Sequence, residues 1–376
     1  MSGQNVQMKE QTGSGPVSGK LQKRKPNIGF LSSVFAILIG LLVGFVVLLI
    51  CNPQQALPGF ATILTGSFTH GLKGVGQIFY YATPIILTGL SVGFAFNTGL
   101  FNIGASGQFM AGTLGAVAVG ILFENLGPVH WGAALLAAVL AGAVWGLVPG
   151  LLKAYFNVNE VISSIMMNYI GMYFVNWTVK SNKALFNVLR NESKSVAATA
   201  NIPKMGLDRL FPGSSVNGGI LIAIAAVAVI WVLLTKTRFG YELKACGYNR
   251  FASKYAGINE KRSIMLSMVI AGALAGLAGG LSMLSGTGSH ISIKDVVAPE
   301  GFTGISVALL GMSHPVGVLF AGLFIAYLQA GGFYLQLFQF STEIIDIIIA
   351  VIIYFSAFAL FVKLMLAKFG RKGGER

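Results

Sequence analysis

Three stretches of an otherwise apolar sequence place polar side chains where they could hold a small molecule. FNTGLFNIGASGQF, residues 96–109, sets Asn97, Asn102 and Gln108 between two apolar runs. NEVISSIMMNYIG, residues 159–171, repeats Glu160, Ser163/Ser164, Met167/Asn168 and Gly171 at three-and-four spacing, so these share one helix face. DVVAPEGFTGISVALLGMSHPVG, residues 295–317, carries Glu300, Thr303 and Ser306 on its first turns, punctuated by Pro299, Gly301, Gly304, Gly311 and Pro315. The residues singled out supply amides, hydroxyls and two carboxylates, and no base. A phosphate or carboxylate cargo would favour Arg or Lys partners. The chemistry read here is hydrogen bonding to a neutral, hydroxylated or amide-bearing molecule.

Other chemistries lack their residues. GSGPVSGKL at 13–21 has the wrong spacing for a phosphate-cradling loop. GASGQ lacks the spacing of a nucleophile elbow. His70, His130, His290 and His314 are scattered without ligand spacing, so no metal site is expected. The chain is expected to have no catalytic residues and to be no enzyme by itself.

The elements that must position these groups are membrane helices. The 376 residues are 55% hydrophobic and only 10% charged, with a mean hydropathy of +0.74; a soluble domain carries about 25% charged residues. A bilayer core of about 30 Å needs about 20 apolar residues per helix. Runs that qualify are 29–50, 77–96, 103–123, 132–152, 158–178, 216–235, 263–284, 315–331 and 343–365, with a shorter run at 302–312. The fold class is an all-α polytopic membrane protein of about ten transmembrane helices, some of them broken.

Charge sets the orientation. The formal charge of +14 gathers in a Gly/Ser/Gln/Lys-rich tail (1–28, expected to be disordered), in the 236–262 loop and in the tail 366–376. Both termini and the 236–262 loop are therefore assigned to the cytoplasm, and no nucleic-acid partner is read from the charge. An even number of crossings then requires 302–312 to cross or to form a half-helix, and puts the 179–215 loop outside. The first apolar run is too long for a signal-peptide core and reads as a retained helix. Cys51 and Cys246 fall on opposite faces, so no disulfide between them is expected.

All three polar stretches keep alternatives open. Part of 96–109 is either a cytoplasmic turn or a bend whose polar groups face a path, with Asn102 and Gln108 the first candidates. Glu160 either caps its helix or contacts cargo, and Asn168 is the better candidate for contact; Ser164 joins them on that face. In the third stretch, 295–317 is either a re-entrant helix or an outer loop with a cap. Irregular backbone at membrane depth survives only against protein or a water-filled cavity.

AVLAGAVWGLVPG (138–150) and MVIAGALAGLAGG (268–280) align without gaps at a separation of 130 residues, with seven of thirteen positions identical. Gly142, Gly146 and Gly150 match Gly272, Gly276 and Gly280, each set a ridge that allows close helix packing. The assigned topology runs the two in opposite directions, as an inverted repeat requires.

The 236–262 loop contains a short amphipathic helix, about 249–256, between Gly247 and Gly257, suited to docking in a partner's groove. Here the residues carry a resemblance. TGLSVGFAFNTGLFNIGASGQFMAGTLGA (88–116), NEVISSIMMNYI (159–170) and LKACGYNRFASKYAGIN (243–259) resemble the membrane-spanning permease subunits of bacterial ABC importers. The nearest branch is the nucleoside-type one of the branched-chain amino acid, ribose and simple-sugar permease family. The resemblance covers roughly residues 75 to 365, and GLFNIGASGQ is its most specific piece, although the family more often has an acidic residue where Ser106 stands.

The resemblance implies a chain of the bacterial cytoplasmic membrane that moves nucleosides by alternating access. It implies cytoplasmic ATP-binding subunits that hold ATP and Mg, with no cofactor in this chain. A second, non-identical permease subunit and an extracytoplasmic substrate-binding lipoprotein complete the assembly. It also implies that 249–257 is a coupling helix, through Asn249, Ala252, Tyr255 and Gly257. Ribose or another simple sugar is the alternative cargo. A proton-coupled secondary transporter, with Glu160 or Asp346 as its proton site, is the alternative class.

Overall fold

The computed structural model describes residues 28–341 and 343–357. In chain order the helices begin with α1 (Ile28–Cys51), α2 (Ala56–Thr69), α3 (Gly71–Asn97), α4 (Ala105–Leu122) and α5 (His130–Phe156). There follow α6 (Glu160–Ser181), α7 (Leu207–Leu210), α8 (Gly219–Lys236), α9 (Arg238–Tyr248) and α10 (Arg250–Tyr255). The last four are α11 (Glu260–Met283), α12 (Glu300–Leu310), α13 (Pro315–Phe333) and α14 (Glu343–Ala357). Two-residue strands at Phe186–Asn187 and Glu192–Ser193 form one antiparallel pair.

Six helical segments among the described residues are long and apolar enough to cross a membrane: Gly71–Asn97, Ala105–Leu122, Glu124–Phe156, Gly219–Lys236, Glu260–Met283 and Pro315–Phe338. The chain is an all-α polytopic membrane protein. Helix α6 has the length of a span, but Asn168, Asn176 and its tyrosines dilute its apolar character. The run expected at 343–365 is described only to Ala357, and the tails expected over 1–28 and 366–376 lie outside the described residues except Ile28, where α1 begins.

Besides the four-residue α7, two helices are not anticipated by the sequence reading. Helix α2, with Pro58 and Gly59 in its first turn, is 14 residues long and too short for a span. Helix α9 reads as part of a basic loop, yet it turns Leu243 and Cys246 inward. Side-chain caps explain where several helices start. Asn159 Oδ1 accepts from Val161 N at 2.9 Å, Asn249 Oδ1 from Ala252 N at 3.0 Å, and Asn259 Oδ1 from Arg262 N at 3.1 Å. Such caps satisfy amides that the first helical turn leaves unpaired.

One face of the bundle gathers the end of α3, the α5–α6 connection and the α9–α10 loop. Lys153 and Glu160 share a shallow pocket there with Thr98, Gly99, Cys246 and Asn249. The other face is closed by the segment between α6 and α8, which is folded onto the α11–α12 connection. Ile202 N donates to Leu284 O at 2.9 Å, Ser193 N to Ile291 O at 3.0 Å, and Asn176 Nδ2 to Lys294 O at 3.0 Å.

Helices α5 and α11 cross with their backbones in contact. A side-chain carbon added at Gly142 would run into Gly272 O and Gly276 Cα; one added at Gly272 would run into Gly142 O and Gly146 Cα. Gly150 faces Met268 Cβ, and Gly280 faces Ala138 Cβ. Leu136, Leu140 and Val144 point the other way and are exposed, an apolar stripe suited to lipid. Gly112 brings α4 onto the same crossing at Gly276.

The chain breaks between α3 and α4. Gly99, at φ +70°, ends α3 in the left-handed conformation, and Leu100 N returns to Ala95 O at 3.1 Å, a pattern that closes the last turn. The following residues climb back along α3, so that Asn102 Nδ2 reaches Ser91 Oγ at 3.1 Å. Helix α12 is the other interruption. Its 11 residues span about 16 Å at 1.5 Å per residue, about half of a bilayer core. Gly301 lies against Ser106 and Gly304 against Thr88, and beyond the helix end Asn97 Nδ2 donates to Ser313 O at 3.0 Å. Helix α12 therefore starts in the interior and runs down beside the second half of α3.

Candidate functional site

A cavity of about 800 Å³ opens where α12 begins and is walled by α3, α11, α12, α13 and α14, with Asn217 at the start of α8. Its size suits a small organic ligand. Tyr80, Tyr81 and Phe302 give it aromatic faces. Thr83, Asn217, Ser282, Thr303, Ser306 and Gln329 add neutral polar groups, and Glu300 and Asp346 add carboxylates. Among the described residues, no Lys, Arg or His lines it. Pro84 inside α3 removes one backbone donor on this wall, and Thr88 Oγ1 bonds the Pro84 carbonyl at 3.0 Å.

Of the residues singled out in the sequence, Glu300, Thr303 and Ser306 come together on this wall. Thr303 Oγ1 donates to Pro299 O at 3.3 Å and Ser306 Oγ to Phe302 O at 3.1 Å, so both hydroxyls are held against their own helix. Glu300 Oε2 is buried and has no hydrogen-bond partner.

The other candidates lie elsewhere. Asn102 and Gln108, 0% and 1% exposed, form a reciprocal amide pair: Asn102 Nδ2 to Gln108 Oε1 at 2.8 Å, and Gln108 Nε2 to Asn102 Oδ1 at 3.0 Å. Asn97 Nδ2 bonds Gly93 O at 2.8 Å as well as Ser313 O. Ser164 Oγ is buried without a partner beside Gly104. Glu160 pairs with Lys153 at 2.8 Å at the α10 face, away from the cavity. The stretch 96–109 is thus a buried re-entrant segment whose amides are satisfied by protein in this conformation.

Asn168 holds that segment from α6. Its Oδ1 accepts from Gly107 N at 2.8 Å and its Nδ2 donates to Ile103 O at 3.0 Å. Asn168→Leu is expected to leave both backbone groups unpaired, at roughly 1–3 kcal/mol each, and to lower the unfolding temperature of the purified subunit. Unchanged stability with lowered uptake would instead make Asn168 a cargo contact.

Tyr80, Tyr81, Asn217, Ser282 and Gln329 escaped the sequence reading. Gln329 had a usable signal, a lone amide within an apolar run. Asp346, named from the sequence only as a proton site of the alternative class, also lines this cavity; an ionisable residue within a membrane helix is costly and usually functional.

On the opposite face, α10 is presented outward. Phe251 and Tyr255 are 81% and 94% exposed, and Ala252 is exposed between them. Gly257, at φ +80°, ends the helical stretch, and Cys246 Sγ and Ser253 Oγ meet at 3.4 Å to tie α10 to α9. Arg250 Nε is buried without an acceptor. Gly247 packs its backbone on Asn97 O and Gly99 N, which joins this loop to the end of α3.

Comparison with known proteins gives the family. A family model described as "Branched-chain amino acid transport system / permease component" matches residues 74–357. The chain is 37% identical over 349 residues to the guanosine ABC transporter permease protein NupP of Bacillus subtilis, covering 92% of this chain and 98% of the relative. It is 34% identical over 345 residues to the nucleoside ABC transporter permease protein NupB of Lactococcus lactis, covering 90% and 93%. It is 33% identical over 344 residues to the glucose ABC transporter permease protein TsgB13 of Haloferax volcanii, covering 87% of each. No solved structure matches the chain.

Proposed function

The chain belongs to the branched-chain amino acid transport system permease family, and from that premise we propose that it is the membrane subunit of an ATP-driven importer that carries nucleosides. What supports the cargo is the near full-length likeness to permeases named for guanosine and nucleosides. The cavity has matching character: aromatic faces for a base, hydroxyls and amides for a sugar, and no cation for a phosphate. Sugar transport is not favoured, since the nucleoside-type relatives match more of the chain. A proton site on Glu160 gains no support from its ion pair with Lys153 at the α10 face.

Under this proposal ATP and Mg are bound by separate subunits that dock on the face formed by α9 and α10, which is cytoplasmic together with both termini. Phe251 and Tyr255 fill the partner's groove. The cargo arrives from an extracytoplasmic lipoprotein at the opposite face, and a second, non-identical permease subunit completes the membrane part. Closure of the ATP-binding subunits moves α10. The movement passes through the Gly247–Gly99 contact to Asn97, and from Asn97 to Ser313 at the end of α12. The start of α12 carries Glu300 on the cavity wall, so the two ends of one short helix link the docking face to the cargo.

Helices α5 and α11 are the matching members of an inverted repeat. The contacts of Gly142 with Gly272 and Gly276 are reproduced, 130 residues on, by those of Gly272 with Gly142 and Gly146. Such repeats rock about a central site in many transporters.

Labelled guanosine uptake by cells lacking and regaining this chain tests the reading. Uptake is expected to stop when ATP is depleted and to continue when a protonophore collapses the proton gradient. Uptake that follows the proton gradient would overturn it.

A further inference from the structure

Glu300 stands in an environment that its own fold satisfies only in part. Its Oε2 is buried without a hydrogen-bond partner on the wall of the cavity. A carboxylate held out of water costs several kcal/mol unless donors compensate it. The helix N-terminus at α12 offsets part of this. Among the described residues, no Lys, Arg or His lines the cavity to supply the rest. Ser106 Oγ, also buried and unpartnered, lies against Gly301 one residue further on. The start of α12 thus presents the unpaired Glu300 Oε2 beside Tyr80, Tyr81 and Phe302, while Ser106, on α4, lies behind it and outside the cavity lining.

A carboxylate can accept two parallel donors at once. We propose that Glu300 is the cargo-reading group of this cavity: its carboxylate accepts a pair of adjacent donors from a neutral ligand whose flat part rests on the neighbouring aromatic faces. The inference builds on the nucleoside reading above and adds the contact that selects among cargoes. Two parts of a nucleoside offer such a pair, the 2′,3′-hydroxyls of the ribose and the two N–H groups on the edge of guanine. Carboxylates at Glu300 and Asp346, without a cation on the walls, also disfavour phosphorylated cargo.

The test uses the complete complex with its ATP-binding subunits in proteoliposomes and the same external binding protein throughout. Uptake of guanosine, 2′-deoxyguanosine and adenosine is compared for the wild type, Glu300→Gln and Glu300→Asp. Glutamine keeps the size but offers one acceptor and an N–H, so the KM for guanosine is expected to rise at least about tenfold, with a smaller change in kcat. Aspartate keeps the charge at shorter reach and should give an intermediate rise, which covers the case that the glutamine variant fails to assemble. If the ribose pair is read, the wild type prefers guanosine over 2′-deoxyguanosine and the variants lose that preference. If the base edge is read, the preference lost is that over adenosine. KM values unchanged by either variant would overturn the proposal and leave the importer reading standing. A wild-type complex that takes up no nucleoside would overturn both.

Discussion

Gly276→Leu should abolish the folded subunit, whereas the same change at Gly132 should leave it intact. A side-chain carbon at Gly276 would stand 2.8 Å from Gly142 Cα and closer still to Ala138 O. Those are backbone atoms of α5, which no side-chain rotation can move aside. To make room the helices must separate, and separation also undoes the contacts of Gly142, Gly146 and Gly272, because all four share one crossing. Overpacking of an ordinary core costs about 1–3 kcal/mol, occasionally more; here the obstacle is another helix's backbone and the loss spreads along the interface. Gly112 of α4 meets the same Gly276 backbone, so a third helix loses its seat. Gly132 lies on α5 too, with nothing within 4 Å of an added side-chain carbon. Size-exclusion chromatography and thermal unfolding of the two variants in detergent provide the comparison. Equal behaviour would show that the crossing does not depend on close backbone approach.

Removing the aromatic side chains of α10, in a Phe251→Ala/Tyr255→Ala double variant, should cut ATP-driven uptake at least about tenfold while the chain still folds. At 81% and 94% exposure, these side chains contribute little to the subunit's own core. Exposed aromatics of this kind are the usual anchors of protein interfaces, and truncating one often costs about 2 kcal/mol or more of binding. The helix itself should survive, since its start is fixed by the Asn249 cap and its end by Gly257. Co-purification of the ATP-binding subunits and uptake in reconstituted vesicles read the two effects separately. Full uptake by the double variant would remove α10 from the coupling route.

The sequence made parts of this molecule legible and hid others, for physical reasons. Long apolar runs have few fates other than a membrane helix, so most helices could be read directly. The glycines of α5 and α11 were legible because a spacing of four repeats on one helix face. The helix at α10 was legible from the flanking Gly247 and Gly257, and its start at the Asn249 cap came from the structure. The cavity was legible only in part. Glu300, Thr303 and Ser306 sit close together in the chain, but Tyr80, Asn217, Ser282 and Gln329 come from four other places and are unremarkable singly. Asn102 and Gln108 were recognisable as polar groups out of place in a membrane segment. That they pair with one another depends on the chain climbing back beside α3, which no local pattern encodes. The same holds for Asn168, whose helix face was legible but whose partners, Gly107 N and Ile103 O, lie on another segment.

The central claim is that this chain works as the membrane subunit of an ATP-driven nucleoside importer, and one measurement tests it most directly. The chain is captured from its native membrane in mild detergent, and the ATPase activity of what co-purifies is assayed with and without nucleosides delivered by the external binding protein. Co-purified ATP-binding subunits whose hydrolysis rises with nucleoside are the expected result. A chain recovered alone, with no associated ATPase and with uptake driven by a proton gradient, would contradict the claim.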